Sequence, residues 1–221
     1  MTLPSTFFAQ SDSTSYTLNT NAIPANTTVS IGVSAGTDAS QSTFIGNQAG
    51  KDFQASKNIF IGYRSGAFIT SPEPLNNFSN VGFGPEAGSY STGIFRNNLL
   101  LGVRSGYTMT NSYDNVMLGG VAGAYSEGYS NSFVGGNSGT SSTGNENVFF
   151  GYRCGEGSTS NSNISIGARS GNSSNGNENL FLGFKAGSHY TGDNNIIIGI
   201  GNGSSQQQRT GIQYSCLPCG S

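Results

Sequence analysis

The stretch Asn179-Leu180-Phe181-Leu182-Gly183-Phe184-Lys185-Ala186-Gly187 shows the unit from which most of this chain is built. It reads asparagine, apolar, any residue, apolar, glycine, two variable residues, a small residue, glycine. Such a regular repeat is typical of solenoids, in which each unit packs on its two neighbours. The first glycine of the unit recurs at Gly32, Gly46, Gly62, Gly84, Gly102, Gly119, Gly135, Gly151, Gly167, Gly183 and Gly199. From Gly119 onward the interval is always 16 residues, and the earlier intervals range from 14 to 22.

A second glycine follows the first by four positions in every unit, and a small residue nearly always precedes it. A corner of the chain with positive φ or a close backbone contact excludes larger side chains. Each unit is therefore predicted to be a short strand followed by a tight turn.

The strand of each unit carries apolar residues on both of its faces. Side chains alternate between the faces of a strand, so the slots three and one before the first glycine (the flanking slots) share a face. The slot between them (the middle slot) points the other way, and Ser30, Gly82 and Ser165 are its exceptions. One face can line the interior of a coil, whereas the other needs a neighbouring copy. The predicted apolar stripe, for the core or for contacts in a trimer, comprises Phe44, Phe60, Leu100, Met117, Phe133, Phe149, Phe181 and Ile197.

Asparagine occupies the slot four before the first glycine in nine of the units, after Thr28 and Ser42 in the first two. Stacked in register, asparagine side chains hydrogen-bond from one rung to the next. The predicted ladder comprises Asn58, Asn80, Asn98, Asn115, Asn131, Asn147, Asn163, Asn179 and Asn195.

These patterns predict an all-β chain that folds as a parallel β-roll or β-solenoid of about eleven rungs with a 16-residue period. Residues 28–203 form the solenoid, residues 1–27 an N-terminal cap or docking segment, and residues 204–221 a C-terminal cap or tail. A long exposed apolar stripe exceeds what a monomer tolerates. Closed cyclic association of three copies is the simplest way to bury it, which predicts a homotrimer.

Composition excludes several classes of function. The net charge is −2 and only 9% of the residues are charged, so nothing favours binding to nucleic acid. No apolar run is long enough to span a membrane, and Met1 to Gln10 lack the features of a signal peptide. We therefore expect neither membrane insertion nor classical secretion, and a location in a virion or at another extracellular surface.

The unit Asn58-Ile59-Phe60-Ile61-Gly62-Tyr63-Arg64-Ser65-Gly66 resembles repeats of phage and other viral tail-fibre proteins. It is more distantly similar to the head repeats of trimeric autotransporter adhesins. The resemblance covers Val29 to Gly203 and implies a homotrimeric β-roll that builds a fibre or contacts a host surface. The chain departs from the adhesins in lacking a membrane anchor and from many tail fibres in lacking a chaperone domain. The expected partners are thus other virion structural proteins, contacted through the termini, and a host-surface glycan.

Catalytic motifs in the sequence are products of the repeat. The stretch from Gly32 to Gly36 matches a nucleophile elbow, but the only histidine, His189, lies many rungs away. We expect no enzymatic activity, no metal and no cofactor. The alternative is a polysaccharide-degrading viral spike, because Asp114, Glu146 and Glu178 share one slot on every second rung, about 10 Å apart.

A basic slot lies two residues after the first glycine, at Arg64, Arg104, Arg153, Arg169 and Lys185. The last three lie on consecutive rungs and are candidates for binding an anionic glycan. The alternative is that these cations are solvated, or paired with carboxylates such as Glu146 and Glu178 of a neighbouring coil.

The three cysteines are too few for a disulfide scaffold. Cys154 fills a small-residue slot of the repeat and is predicted to be buried. Cys216 and Cys219 form a C-x-x-C pair, for which an incidental role and a terminal disulfide both remain open.

Overall fold

The computed structural model describes the strands Phe8–Ala9 and Gly211–Ser215 and, between them, residues 28–36, 41–53, 55–71 and 78–201. The fold is an all-β solenoid of about ten turns, with parallel strands about 16 residues apart, which confirms the predicted fold class. Within these residues there is no helix that is long and apolar enough to cross a membrane.

Two parallel sheets contain all the described strands. One has thirteen strands in the order β1-β2-β3-β4-β5-β7-β9-β11-β12-β13-β14-β15-β16, and the other has three in the order β10-β8-β6. The strands are β1 (Phe8–Ala9), β2 (Val29–Ile31), β3 (Thr43–Ile45), β4 (Ile59–Ile61), β5 (Val81–Phe83), β6 (Thr92–Arg96), β7 (Leu99–Leu101), β8 (Thr110–Tyr113), β9 (Val116–Leu118), β10 (Glu127–Tyr129), β11 (Ser132–Val134), β12 (Val148–Phe150), β13 (Ile164–Ile166), β14 (Leu180–Leu182), β15 (Asn195–Gly199) and β16 (Gly211–Ser215).

Each of the eleven repeat units contributes one strand to the large sheet, and equivalent slots stack on one another. Phe133 of β11, for example, lies between Met117 of β9 and Phe149 of β12. The register is kept across the irregular early intervals, since Phe60 of β4 pairs with Gly82 of β5. The residues inserted between these units therefore leave the stacking of the strands unchanged.

The sheet extends by one strand beyond the repeats at each end. Strand β1 pairs in parallel with β2, and β16 pairs in parallel with β15. These two strands are the described parts of the predicted terminal segments 1–27 and 204–221. Cys216 and Cys219 lie outside the described residues.

Both glycines of the unit are required by close contacts. A Cβ at Gly183, where φ is +132°, would lie 2.2 Å from the carbonyl oxygen of Gly199 in the next rung. A Cβ at Gly187, where φ is +64°, would lie 2.3 Å from the ring of Phe181. The first glycine thus lets adjacent rungs approach, and the second makes room for the aromatic ring inside the coil.

The middle slot points into the coil and forms its core. All eight residues of the predicted stripe are at most 1% exposed. The rings of Phe133 and Phe149 stack with centroids 5.0 Å apart, and those of Phe44 and Phe60 with centroids 6.3 Å apart. The prediction that these eight side chains contact other copies in a trimer is therefore wrong, and the prediction that they form the core is right, because they are enclosed by their own coil. The face left for a neighbour is that of the flanking slots.

Candidate binding surfaces and their geometry

The flanking slots of the eleven repeat strands form one outward surface, here called the outer face. Twenty of its 22 residues are apolar, the exceptions being Thr43 and Ser132, and none of the 22 is buried. Phe150 is 56% exposed and Ile164 is 44% exposed. The surface is continuous because strands β2 to β15 of the large sheet are stacked in register. A continuous apolar surface of this kind is unusual for a soluble monomer.

A second exposed apolar column follows the first glycine. Its largest members are Val33, Tyr63, Val103, Tyr152, Phe184 and Ile200, which are between 46% and 70% exposed. The chain bends at the first glycine, so this column borders the outer face at an angle. The two surfaces together make an extended apolar edge along the solenoid, in which the second column is interrupted at Asn47, Gly120, Gly136 and Ala168.

The predicted asparagine ladder is continuous in the structure. In all eight steps the Oδ1 of one asparagine accepts a hydrogen bond from the backbone N–H of the next, at 2.9–3.2 Å. The Nδ2 groups donate to carbonyls of the adjoining turns, for example from Asn131 to Gly144 at 2.9 Å. All nine side chains are at most 3% exposed, so the ladder satisfies backbone groups inside the coil.

A second ladder, which was not predicted from the sequence, lies two residues before the first. Asn145 accepts from the backbone N–H of Tyr129, Asn161 from that of Asn145, and Asn177 from that of Asn161. Asp193 then accepts from the backbone N–H of Asn177. The recurrence of Asn or Asp every 16 residues was the signal that could have revealed it.

Most residues of the basic slot have partners within their own chain. Arg104 pairs with Glu86 at 2.6 Å, and this carboxylate raises the pKa of the guanidinium. Arg153 lies 3.6 Å from Glu156. Arg104 and Arg153 thus have carboxylate partners in their own coil, and pairing of this slot with Glu146 and Glu178 of a neighbouring coil stays a prediction.

Aromatic rings lie beside these cations as well. Arg153 lies over the ring of Tyr152 at 5.5 Å, and Lys185 lies over that of Phe184 at 5.3 Å. Arg64 donates to Gln48 at 2.7 Å. Arg169 occupies the rung between Arg153 and Lys185, as predicted from the spacing. The three candidate glycan-binding cations thus share one column of the solenoid, and two of them contact aromatic rings.

The acidic slot lies along an exposed edge. Asp114 accepts a hydrogen bond from Asn97 at 2.8 Å, and Glu146 accepts one from Ser162 at 3.2 Å. Both partners, Asn97 and Ser162, occupy the same slot on an adjacent rung. Asp114, Glu146 and Glu178 are all exposed.

A groove lies on the side of the solenoid that carries the three-stranded sheet, where β8 and β10 lie side by side. It has a volume of about 470 Å³ and is open to solvent. The rings of Tyr113 and Tyr129 stack at the end of the groove that is nearer the N-terminus, with centroids 4.8 Å apart. Arg96 lies over the ring of Tyr113, 5.0 Å from its centroid. This groove was not predicted from the sequence, because neither tyrosine belongs to the repeated motif.

The in-register strands, buried asparagine ladder and glycine corners define the chain as a repeat protein of the β-solenoid class. No protein-family model, curated protein or solved structure matches the chain.

Proposed function

We propose that the chain is a non-enzymatic fibre subunit, and that three copies associate along their apolar edges into a rigid rod. The rod serves in host-surface attachment or in particle assembly, as a component of a virion. The observation that carries the proposal is the outer face, a stacked apolar surface that a single chain leaves in water. The resemblance of the repeats to those of viral tail fibres supports the placement in a virion.

The size of the outer face suits association between copies. Eleven strands spaced about 4.8 Å apart span about 50 Å, and two columns of side chains are about 14 Å wide. The resulting area of about 700 Å² is close to the roughly 800 Å² per partner of a stable protein interface. An exposed apolar surface of this extent is otherwise an aggregation hazard.

The second apolar column favours three copies over two. In a twofold dimer the same patch of each copy meets itself, whereas in a threefold ring two different patches meet. The outer face and the column of Tyr63, Val103, Tyr152 and Phe184 are two adjacent apolar patches at an angle. Around a threefold axis the outer face of one copy can cover the second column of the next.

Hydrogen bonds between rungs support a role as a rigid rod. Every step between the nine asparagines is bonded inside the coil, and backbone bonds connect rungs at the turns, as from Arg153 to Gly136. Such a structure resists bending because each rung is fixed to its neighbours at several points around the coil.

The test is the native mass of the full chain in solution. A chain of 22.8 kDa gives a trimer of 3 × 22.8, or 68.4 kDa. The double variant Val148→Lys/Ile166→Lys places charges on the outer face and is expected to shift the mass to that of a monomer. The matched control is Ser141→Lys/Ser173→Lys, which adds the same charge at exposed polar positions outside both apolar surfaces and is expected to remain trimeric.

Two results would count against this proposal. A wild-type chain that stays monomeric and soluble at high concentration would show that the outer face needs no partner copy. Cleavage of a polysaccharide that is abolished by Glu146→Gln would replace the fibre subunit by the polysaccharide-degrading spike.

A further inference from the structure

The groove beside the three-stranded sheet lies where one column of side chains passes from large residues to a small polar one. The column runs from Arg96 through Tyr113 and Tyr129, and the next residue in it is Asn145. Asn145 is smaller, and its Oδ1 is used by the backbone N–H of Tyr129 at 3.0 Å. The stack of large side chains therefore ends at Tyr129, whose ring extends beyond the shorter side chain of Asn145 on the next rung.

Tyr113 covers only one face of the Tyr129 ring. The two rings are 10° from parallel, which leaves the second face of Tyr129 towards the rung of Asn145. The Tyr129 backbone is fixed there by the hydrogen bond to Asn145 and by the pairing of β10 with β8. An aromatic face held in place at the end of a groove is a binding platform that costs little ordering entropy when a ligand stacks on it.

The rest of the groove offers short polar side chains from successive rungs. Asn111, Glu127, Thr143 and Thr159 all contribute to its lining and are all exposed. They lie on four successive rungs, so the polar groups extend over about 14 Å along the solenoid. Hydroxyls, an amide and a carboxylate supply both donors and acceptors along this length.

The floor of the groove is made by glycines. A Cβ at Gly128 would lie 2.1 Å from the carbonyl oxygen of Gly144, and one at Gly144 would lie 2.1 Å from that of Ser160. The close approach of the rungs thus requires both glycines. The absence of side chains there also makes room for a ligand between Tyr129 and the polar residues.

We propose that this groove binds a neutral oligosaccharide, with one sugar ring stacked on the free face of Tyr129. The C–H face of a sugar ring is attracted to the negative face of an aromatic ring, and its rim of hydroxyls both donates and accepts hydrogen bonds. Glu127 is the only charged residue among the described residues that line the groove. Its carboxylate accepts hydrogen bonds from sugar hydroxyls and repels uronates, sulfated sugars and phosphates.

This inference deepens the proposed function, because it names the ligand class of one surface of the rod. It differs from the anionic glycan considered for Arg153, Arg169 and Lys185, which lie in another column. The groove is built within one chain, so it does not depend on association of copies. Failure of either proposal therefore leaves the other standing.

The experiment measures binding of the full chain to a panel of neutral hexasaccharides, made of glucose, mannose, galactose or N-acetylglucosamine units, and to a hexauronate. The chain has ten tyrosines and no tryptophan, so a ligand-induced change in tyrosine emission that Tyr129→Ala removes reports on the groove, and calorimetry gives the affinity. At least one neutral hexasaccharide is expected to bind with a Kd below about 1 mM, and the hexauronate more weakly. Tyr129→Ala is expected to weaken the binding roughly tenfold or more.

Tyr125→Ala is the matched control, because Tyr125 belongs to the same rung, is 54% exposed and lies outside the groove. It is expected to bind like the wild type. Thr143→Tyr is a second variant that fills the groove from an exposed position, and it is expected to abolish binding even if Tyr129→Ala fails to fold. Native mass is recorded for every sample, so that a loss of association is not mistaken for a loss of the groove.

The proposal is overturned if no neutral hexasaccharide binds at about 1 mM. It is equally overturned if Tyr125→Ala weakens binding as much as Tyr129→Ala does, or if Thr143→Tyr binds normally. Binding of the hexauronate that is tighter than that of every neutral sugar, and that is unchanged by Tyr129→Ala, would assign the glycan to the basic column instead.

Discussion

The side chain of Asn131 accepts a hydrogen bond from the backbone N–H of Asn147 at 2.9 Å, across 16 residues of sequence. Its Nδ2 donates to the carbonyl of Gly144 at 2.9 Å, so one side chain connects two strands and a turn. Asn131 is only 3% exposed, and its bond to the backbone N–H of Asn147 is buried inside the coil. The asparagine is therefore needed to satisfy buried backbone groups rather than to bind a ligand.

Replacing Asn131 by alanine is expected to lower the free energy of unfolding by about 2–3 kcal/mol, because the buried backbone N–H of Asn147 and the partly buried carbonyl of Gly144 lose their partner. The measurement is urea denaturation followed by circular dichroism. Asn161→Ala is the control, since Asn161 makes the same bond to a backbone N–H at 2.9 Å but is exposed. It is expected to cost less than about 1 kcal/mol, because water can replace it. Equal losses in both variants would contradict the role of burial.

The adjacent residues Phe149 and Phe150 point in opposite directions, at 1% and 56% exposure. Phe149→Ala is expected to lower the free energy of unfolding by about 3–5 kcal/mol, because it leaves a cavity in the coil. Phe150→Ala is expected to change it by about 0.5 kcal/mol in a dilute sample of separated chains.

The Phe150→Ala variant also tests the association of copies through the outer face. In sedimentation at increasing concentration, the Phe150→Ala chain is expected to assemble more weakly than the wild-type chain, since the ring is part of the outer face. A loss of chain stability at Phe150 as large as that at Phe149 would mean that the strand is turned the other way.

The alternation of apolar residues was enough to predict a coil with a second apolar face, but not which slot faced inward. In Val148-Phe149-Phe150 all three residues are apolar, so the sequence pattern is the same for either orientation. Orientation is decided by the space inside the coil. There the ring of Phe149 lies against the second glycine, Gly155, where a Cβ would be 2.1 Å from it.

The groove could not be predicted because it depends on residues that break the repeat. Arg96, Tyr113 and Tyr129 fall in the slot that Asn145 and Asn161 occupy in later rungs, and the early intervals are irregular. Their alignment is set by the pairing of β8 with β6 and β10, which includes shifts of register. The ion pair between Arg104 and Glu86 was hidden for a similar reason, since their separation of 18 residues is not the main period.

Val121 occupies a position with a φ of +62°, in the slot two residues after the first glycine. A β-branched residue is strained there by about 1–2 kcal/mol, whereas asparagine tolerates this conformation. Val121→Asn is therefore expected to raise the free energy of unfolding by about 1 kcal/mol. Val103→Asn, compared in dilute samples of separated chains, is the control, because Val103 is an exposed valine whose φ is not positive. If both variants were equally destabilised, backbone strain at Val121 would be the wrong explanation.

Cys154 is buried in the small-residue slot, and its thiol donates to the carbonyl of Ser165 at 3.0 Å. Burial raises the pKa of this thiol from 9.0 to about 12, because the thiolate would be poorly solvated inside the coil. The thiolate is the reactive form. In a Cys216→Ser/Cys219→Ser background, a thiol reagent at mildly alkaline pH is thus expected to modify Cys154 only as fast as the coil opens.

The same pKa difference makes the stability of the coil depend on pH. The folded chain holds the proton of Cys154 more tightly than the unfolded chain, so this contribution is complete below pH 9.0 and is lost as the pH rises towards about 12. The comparison is with Cys154→Ala, which places in the slot a residue found there in other units and leaves every other titrating group unchanged. Urea denaturation between pH 8 and pH 11 is expected to give a steeper decline for the chain with Cys154 than for the alanine variant. Parallel declines would mean that the thiol is solvated in the folded state, which its position beside Ser165 inside the coil does not allow.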